Sequence, residues 1–310
     1  MFVCNCIYRN IVLVVFFGLF FVPVPTNNLW WREAGNTSHT VLFFILSFLI
    51  YQRLRPRLRY SNNILIYFIV FVIGMSLGAL IEVLQNFTHR ESSLNDVFRD
   101  FYGITAGLCL IAAINLKDFN HHRLTMVIIL LVAASCLFIG VRPIIKLSWH
   151  YIERNNAFPV IVAFDKDWSS SFISLNNAEI IKTSNLNKNS DDLPLVQFNH
   201  GKYPGVSVIE TEPDWSGYKK LVLRIISMEA HNVHLVLRIQ DMDHNQDYAD
   251  RFNKKLLVMP GLNVLEIALS EIQHGPVNRQ LDLKNVAGLI LFSSDEADQF
   301  KLKLSNIYLE

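Results

Sequence analysis

The stretch Gly74-Met-Ser-Leu-Gly-Ala-Leu-Ile-Glu-Val-Leu-Gln85 places a carboxylate inside an apolar run. The run is long enough to cross a bilayer as a helix. Spacings of four, four and three residues put one set of side chains on a single face of that helix: Gly74, Gly78, Glu82 and Gln85. A carboxylate in a membrane segment is energetically expensive, which makes Glu82 a candidate functional residue.

The next apolar segment repeats this pattern. One face of a helix over about 95–116 would carry two acids and two glycines, Asp96, Asp100, Gly103 and Gly107. Because Gly-x-x-x-Gly spacing lets membrane helices approach closely, we expect Gly74 and Gly78 to pack against the glycines of this helix. That packing would bring the acids of both helices to one membrane surface, with Arg90 in the connecting turn.

These residues carry a family resemblance. The series Ile81-Glu82-x-x-Gln85, Arg90, Ser93-x-x-Asp96, Gly103 and Gly107 resembles the signature of the VanZ-like family of small membrane proteins, over about residues 10–117. His39 before an aromatic-rich segment also fits, whereas Asn36 stands where the family has a Lys, and Asp100 where it has an Asn. The resemblance implies a cell-envelope protein linked to glycopeptide-antibiotic tolerance, and it leaves the biochemical activity open.

Composition divides the chain into two parts. Hydrophobic residues make up 51% of the sequence, which indicates a membrane portion. Residues 1–157 contain 13 Lys and Arg against 7 Asp and Glu, while residues 158–310 contain 15 against 20. The charges therefore predict a basic membrane domain followed by an acidic soluble one, and neither part indicates nucleic-acid binding.

The apolar runs predict five transmembrane helices, at about 11–24, 40–51, 64–85, 95–116 and 124–140. Four arginines between 53 and 59 place that loop in the cytoplasm by the positive-inside rule. The amino terminus would then be cytoplasmic, and everything after Val141 would lie outside an inner or plasma membrane. The predicted domains are a membrane domain over 1–141, a juxtamembrane linker over 142–157 and an extracytoplasmic domain over 158–310.

Beyond residue 158 the hydrophobic pattern becomes that of β-strands. Short alternating runs are separated by turn signals such as Pro204-Gly205 and Pro260-Gly261, which predicts an antiparallel sandwich or jelly roll. The segments Asp214-Trp-Ser-Gly-Tyr218, Asp250-Arg-Phe-Asn253 and Pro260-Gly-Leu-Asn263 resemble the galactose-binding-like jelly roll of bacterial carbohydrate-binding modules. That resemblance implies the fold and, loosely, a sugar ligand.

Two interpretations of the membrane cluster are open. In the first, Glu82, Gln85, Arg90 and Asp96 form a polar pocket in which Arg90 binds a phosphate or carboxylate, and an acid serves as a base or cation ligand. In the second, Asp96 only completes a capping box with Ser93, and Glu82 pairs with Arg90. His39 could exchange a proton with Glu82 or simply reach the interface. Asp100 lies on the same face as Asp96.

The soluble part offers weaker candidates. Oxygen ligands alternate in a short loop as they do in calcium sites, at Asp241, Asp243, Asn245 and Asp247. Gln246 and Phe252 replace the glycine and glutamate of an EF-hand, which leaves a looser calcium site or a solvated acidic hairpin. Arg251 could pair with Asp241 or, with Asp250, face a ligand. Trp215 could stack on a sugar or be buried.

The sequence thus predicts an integral membrane protein that contacts the lipid bilayer and recognises an envelope glycan or lipid-linked saccharide. The alternative is a membrane enzyme in which Glu82 or Asp96 acts as general base on a polyprenyl-phosphate-type substrate held by Arg90. No cofactor is predicted apart from the possible calcium ion. The oligomeric state is not predicted.

Overall fold

The computed structural model describes residues 28–85, 93–116, 123–181, 193–294 and 299–310. The chain divides into two compact units, residues 1–146 and residues 147–310. Within the described ranges the first unit is helical, and the second is built mainly of β-strands.

Four described helices are long and apolar enough to cross a membrane: α1 (Leu29–Leu54), α2 (Asn63–Gln85), α3 (Leu94–Asn115) and α4 (Arg123–Ala157). The predicted helix over 11–24 lies outside the described residues. Helix α1 begins well before the predicted start at Thr40, because the Asn28 side chain accepts a hydrogen bond from the backbone N–H of Trp31 (3.1 Å) and caps the helix there.

The predicted end of the last helix at Gly140 is wrong. Helix α4 continues through Pro143 to Ala157, so the segment expected to be a linker, 142–157, is helical. Proline usually breaks or kinks a helix because it lacks a backbone N–H, and this is why Arg142-Pro143 reads as an end in the sequence. The boundary between the two units falls after Lys146, inside this helix.

The glycines of α3 pack against α1, not against α2 as expected. A Cβ atom on Gly103 would overlap the carbonyl oxygen of Thr40 and lie 3.0 Å from the amide nitrogen of Phe44. A Cβ on Gly107 would overlap the Ser47 hydroxyl and lie 2.8 Å from the Phe44 carbonyl oxygen. These two glycines therefore let the α1 backbone approach α3 closely.

The glycines of α2 receive side chains from α3. A Cβ on Gly74 would lie 2.8 Å from the Cδ1 atom of Ile104, and one on Gly78 would overlap the carboxylate of Asp100. The expected pairing of the two glycine patches is wrong because α3 presents glycines to α1 and larger side chains to α2.

The second unit is an antiparallel β-sandwich, which confirms the predicted fold. Its strands are β1 (Val160–Ala163), β2 (Ile173–Asn176), β3 (Ala178–Ile181), β4 (Leu195–Phe198), β5 (Gly205–Val208), β6 (Lys220–Ser227), β7 (Val233–Asp241), β8 (Phe252–Val258), β9 (Gly261–Ala268), β10 (Val286–Phe292) and β11 (Phe300–Leu309), with a short helix α5 (Leu269–Gln273) after β9. One sheet has the order β3-β4-β11-β6-β9 with β1 also on β11, and the other has the order β2-β5-β10-β7-β8.

Alternation of side chains explains the core of this sandwich. In β7, Val233, Leu235, Leu237 and Ile239 are buried, while the residues between them point outward. Trp215, Phe198 and Leu223 are among the side chains that close the space between the sheets. Because every second residue of such a strand lies in the core, the strand pattern is visible in the sequence.

The last turns of α4 belong to the sandwich unit. Arg154 is buried there, with its guanidinium 4.7 Å from the ring centre of Tyr151 and 4.6 Å from that of Phe172. It also lies 3.6 Å from a carboxylate oxygen of Glu210 and 3.6 Å from one of Glu212. These contacts make residues 147–157 part of the second unit.

Candidate functional site

Four buried polar side chains meet in the helical unit. His39 comes from α1, Glu82 from α2, and Asp96 and Asp100 from consecutive turns of α3. Their relative exposures are 8%, 7%, 6% and 0%, respectively. Burial of three carboxylates in a helical membrane-type unit requires hydrogen bonds or opposite charges around them.

Each of these acids has a described polar partner. His39 Nδ1 lies 3.0 Å from Asp100 Oδ1, and the backbone N–H of Ser93 donates to Glu82 Oε2 (2.9 Å). Arg99 Nη1 donates to Asp96 Oδ1 (2.7 Å), while Nη2 of the same guanidinium donates to Glu33 Oε1 (2.7 Å). The cluster is therefore held together across three helices.

The structure brings most of the sequence candidates together. His39, Glu82, Asp96 and Asp100 share this cluster, and Gln85 is buried one turn after Glu82 on the same helix. Arg90 lies outside the described residues. One potential metal-ligating atom from each of His39, Glu82 and Asp96 lies within 4.8 Å of the other two. Among the described residues, these three side chains form a group that could hold a metal ion.

The capping-box interpretation of Asp96 is wrong. The backbone N–H of Ser93, which a capping box would give to Asp96, donates to Glu82 instead, and Asp96 accepts from Arg99. Arg99 and Glu33 were missed in the sequence. Arg99 follows Asp96 by three residues, a spacing at which helical side chains meet, and this signal was present. Glu33 lay before the predicted start of its helix.

In the sandwich, Arg279 joins two of the sequence candidates. Its Nη2 donates to Asp241 Oδ1 (2.7 Å) and to Asp250 Oδ2 (3.1 Å), its Nη1 to the other oxygen of Asp241, and its Nε to the other oxygen of Asp250. The hydrogen bonds from Arg279 hold the pKa of Asp250 well below its ordinary value. At Asp241, burial raises the pKa of the carboxyl. The hydrogen bonds from Arg279 and from the Asp282 amide lower it, and the net shift is downward.

This ion-pair network bears on two predictions. Asp241 pairs with Arg279 and not with Arg251. Both of its oxygens accept hydrogen bonds from that guanidinium, so a calcium ion at Asp241 would compete with Arg279, and the calcium site stays a prediction. Of the other proposed calcium ligands, Asp243 is exposed, and the Asn245 side chain accepts from the backbone N–H of Asp247 (2.8 Å).

Trp215 does not fit the sugar-stacking role. Its exposed fraction is 0%, and its indole N–H donates to the backbone carbonyl of Glu212 (2.8 Å). A ring enclosed on both faces cannot stack on a ligand, so Trp215 is a core residue.

The outer face of the five-stranded sheet carries a second set of candidate residues, made of arginine and tyrosine side chains. Register places Arg238 of β7 beside Ile290 of β10 and Asn253 of β8. Burial and the nearby charge of Arg251 lower the pKa of Arg238. Across the described residues, neither of these two guanidiniums forms an ion pair with a carboxylate.

Exposed tyrosines flank this face. Tyr203 is 61% exposed, and its ring packs edge-on against Phe292 of β10 at 5.8 Å. Tyr248 is 71% exposed and lies 5.3 Å from the Arg251 guanidinium. The sequence analysis identified Arg251 but missed both tyrosines and Arg238, because an exposed aromatic in a loop has no distinctive sequence pattern.

No protein-family model matches the sequence, and a search of curated proteins finds no relative. Solved structures do resemble part of the chain. A family 11 carbohydrate-binding module from Clostridium thermocellum, in complex with a β-1,3-1,4-mixed-linked tetrasaccharide, is 17% identical over 44% of this chain and 82% of that one, with a TM-score of 0.33. An exo-β-agarase is 18% identical over 49% of this chain and 24% of its own, with a TM-score of 0.37.

A carbohydrate-binding module from Paenibacillus barcinonensis is 11% identical over 46% of this chain and 94% of that one, with a TM-score of 0.30. The chain thus spans about a quarter of the agarase and most of the isolated modules. Values this low carry no conclusion about a ligand, and the sandwich assignment rests on the strand order itself.

Proposed function

We propose that this protein is a membrane-anchored receptor for an acidic glycan of the cell envelope, bound on the outer face of the β2-β5-β10-β7-β8 sheet. The observation that carries the proposal is the pair of guanidiniums, Arg238 and Arg251, that have no carboxylate partner among the described residues. The exposed ring of Tyr248 lies 5.3 Å from the second of them.

The charges favour an acidic ligand. Guanidinium groups bind carboxylates and phosphates through paired hydrogen bonds, and two of them close together repel each other unless an anion joins them. Nε of Arg238 and Nε of Arg251 are both buried without a described hydrogen-bond partner. A carboxylate or phosphate on the ligand would accept from the outer nitrogens of the two guanidiniums, because their buried Nε atoms are out of its reach.

The aromatic residues favour a ligand with a flat, partly apolar face. Tyr203 and Tyr248 present rigid rings at low conformational cost, and each also has a hydroxyl for hydrogen bonding. Five strands spaced by about 4.8 Å give this face a width of roughly 19 Å, which suits an extended oligosaccharide better than a single sugar.

The helical unit supports a location of the protein in the cell envelope. Its four apolar helices suit a membrane anchor, and the resemblance to the VanZ-like family favours the cell envelope.

One observation favours the enzyme alternative. A histidine held by a buried carboxylate, as His39 is by Asp100, is a common arrangement for a general base. Glu82 or Asp96 would then share in proton transfer to a polyprenyl-phosphate-type substrate.

Glycan binding can be tested with the full chain in lipid nanodiscs by biolayer interferometry. Acidic polysaccharides, such as polygalacturonate and teichoic acid, should bind at least tenfold more tightly than neutral β-glucan or agarose. Arg238→Gln and Arg251→Gln should each weaken acidic binding about tenfold, and Tyr203→Ala and Tyr248→Ala should weaken binding of every ligand.

Arg224→Gln is the matched control, because Arg224 is exposed on the other sheet beside Tyr308. Equal binding by the wild type and the Arg238 and Arg251 variants would refute the proposed face. Turnover of a polyprenyl-phosphate sugar that disappears in Glu82→Gln, without any effect of the sandwich variants, would favour the enzyme.

A further inference from the structure

We propose that His39, Glu82 and Asp96 bind a divalent transition-metal ion, for which zinc is the test ion. The inference goes beyond glycan recognition and concerns the helical unit alone, so either proposal can fail without the other.

The three residues offer a suitable donor set. They come from three different helices, are all buried, and place one ligand atom each within 4.8 Å of the other two. Ligand atoms around a tetrahedral zinc lie about 3.4 Å apart, given bonds of about 2.0–2.2 Å. Side-chain rotations that move each ligand atom by about 1 Å toward a common centre would bring the three atoms to the spacing found around zinc.

The hydrogen bonds around the three residues resemble the outer shell of a metal site. His39 uses Nδ1 toward Asp100, Asp96 uses Oδ1 toward Arg99, and Glu82 uses Oε2 toward the Ser93 amide. In metal sites, ligating histidines and carboxylates are oriented in this way by groups that do not themselves bind the ion. In the proposed site, His39 would ligate the ion through Nε2, and each acid would ligate it through one carboxylate oxygen.

Asp100 gives His39 the outer partner that a ligating histidine usually has. It is fully buried, and its Oδ1 lies 3.0 Å from His39 Nδ1, while its Oδ2 lies against Gly78 of α2. In carboxylate–histidine–zinc arrangements, a carboxylate on one ring nitrogen orients the other ring nitrogen toward the ion. A buried carboxylate that serves only packing would be costly.

The donor types indicate which ion. Calcium and magnesium prefer ligand sets made of oxygen alone, whereas an imidazole with two carboxylates suits zinc and its first-row neighbours. Three protein ligands also leave one coordination position of zinc for water or an anionic group of a ligand. The opposing explanation is an ion-pair network without a metal, in which Arg99 and a protonated His39 balance the acids.

Zinc binding should be measured on the purified full chain carrying Cys4→Ser and Cys6→Ser, which removes two thiols that could bind zinc by themselves. Competition with a chromophoric chelator and metal analysis after dialysis give affinity and stoichiometry. We expect one zinc per chain. Glu82→Gln and His39→Gln should lower the affinity more than 100-fold, and Asp100→Asn should lower it about 10–100-fold, the usual effect of an outer-shell change.

Two controls match these variants in chemistry. His121→Gln with His122→Gln removes two other histidines, and Glu153→Gln removes an acid of α4, and both should bind zinc within threefold of the parent. Millimolar magnesium or calcium should not displace the zinc. Thermal unfolding of each variant shows which ones fold.

Absence of bound zinc in the folded parent protein would overturn the proposal, as would unchanged affinity in Glu82→Gln and His39→Gln. If neither ligand variant folds, X-ray absorption of the zinc-loaded parent decides. A shell of one imidazole and oxygen atoms supports the site, and sulfur ligands or several imidazoles refute it.

Discussion

Arg279 forms ion pairs with two acids of the sandwich. Its guanidinium holds Asp241, which is 2% exposed, together with the more accessible Asp250. Arg279→Met should lower the free energy of unfolding by about 3 kcal/mol, because a buried carboxylate would lose its cationic partner. Thermal unfolding followed by tryptophan fluorescence would measure the change.

Arg224→Met is the control for this substitution, since Arg224 is exposed and its loss should cost less than about 0.5 kcal/mol. Equal stability of Arg279→Met and the wild type would mean that the Arg279 ion pairs contribute nothing to stability.

The same residue predicts an effect of pH. Arg279 lowers the pKa of Asp250 and Asp241 in the folded state, while an unfolded Asp titrates near pH 3.9. The resulting stabilisation is therefore nearly complete above about pH 5 and is lost as the pH falls toward the lower folded values. Between pH 5 and pH 2 the melting temperature should fall more steeply in the wild type than in Arg279→Met. Parallel curves would contradict this account.

The sequence revealed a residue when its immediate neighbours made it unusual, but not when its partner was distant in the chain. Glu82, Asp96, Asp100 and His39 stood out because polar side chains are rare in apolar segments. Arg279 gave no such signal, since it is 38 residues from Asp241 and only the folded sandwich brings them together. The pairing of Asp241 with Arg279 was missed for this reason.

At the scale of elements, the two glycine pairs differ in what surrounds them. A Cβ on Gly103 meets the α1 backbone, which cannot move without displacing the helix, whereas a Cβ on Gly74 meets the flexible end of the Ile104 side chain. Gly103→Ala should therefore lower the melting temperature of the detergent-purified protein by several degrees, and Gly74→Ala should change it much less. A larger loss at Gly74 would contradict the observed packing.

The helix pattern was readable except at its ends. Apolar length located α2 and α3 closely, but the capping of α1 at Asn28 and the passage of α4 through Pro143 depend on contacts that a hydrophobicity pattern does not contain. For the strands, the short apolar runs and the turn signals between them predicted the sandwich, but not which strands are neighbours.

The end of α4 gives a further prediction. Because Arg154 packs between Tyr151 and Phe172 and near Glu210, a fragment of residues 147–310 should fold as a soluble β domain. A fragment of residues 158–310 leaves Glu210 partly buried without that cation and should be less stable by about 3 kcal/mol. Circular dichroism and urea unfolding of both fragments would measure the difference, and equal midpoints would refute it.

For the whole molecule, the described helices predict the membrane topology of the soluble unit. Three helices, α2 to α4, separate the arginine cluster at 53–59 from the sandwich, so the two should lie on opposite sides of the membrane whatever residues 1–27 do. By the positive-inside rule a reporter after Arg59 should be cytoplasmic, and one after Glu310 extracytoplasmic. Cytoplasmic activity of the second reporter would overturn the outward assignment of the sandwich.

The position of β11 has a consequence for how the sandwich assembles. This strand lies between β4 and β6 and also pairs with β1, whose residues come about 145 positions earlier in the chain. Until it docks, both neighbours present unpaired backbone edges that can join the strands of other molecules. Such long-range pairing slows folding. The unfinished sandwich is therefore the state most prone to aggregation, and a chaperone that covers those edges would protect the nascent protein.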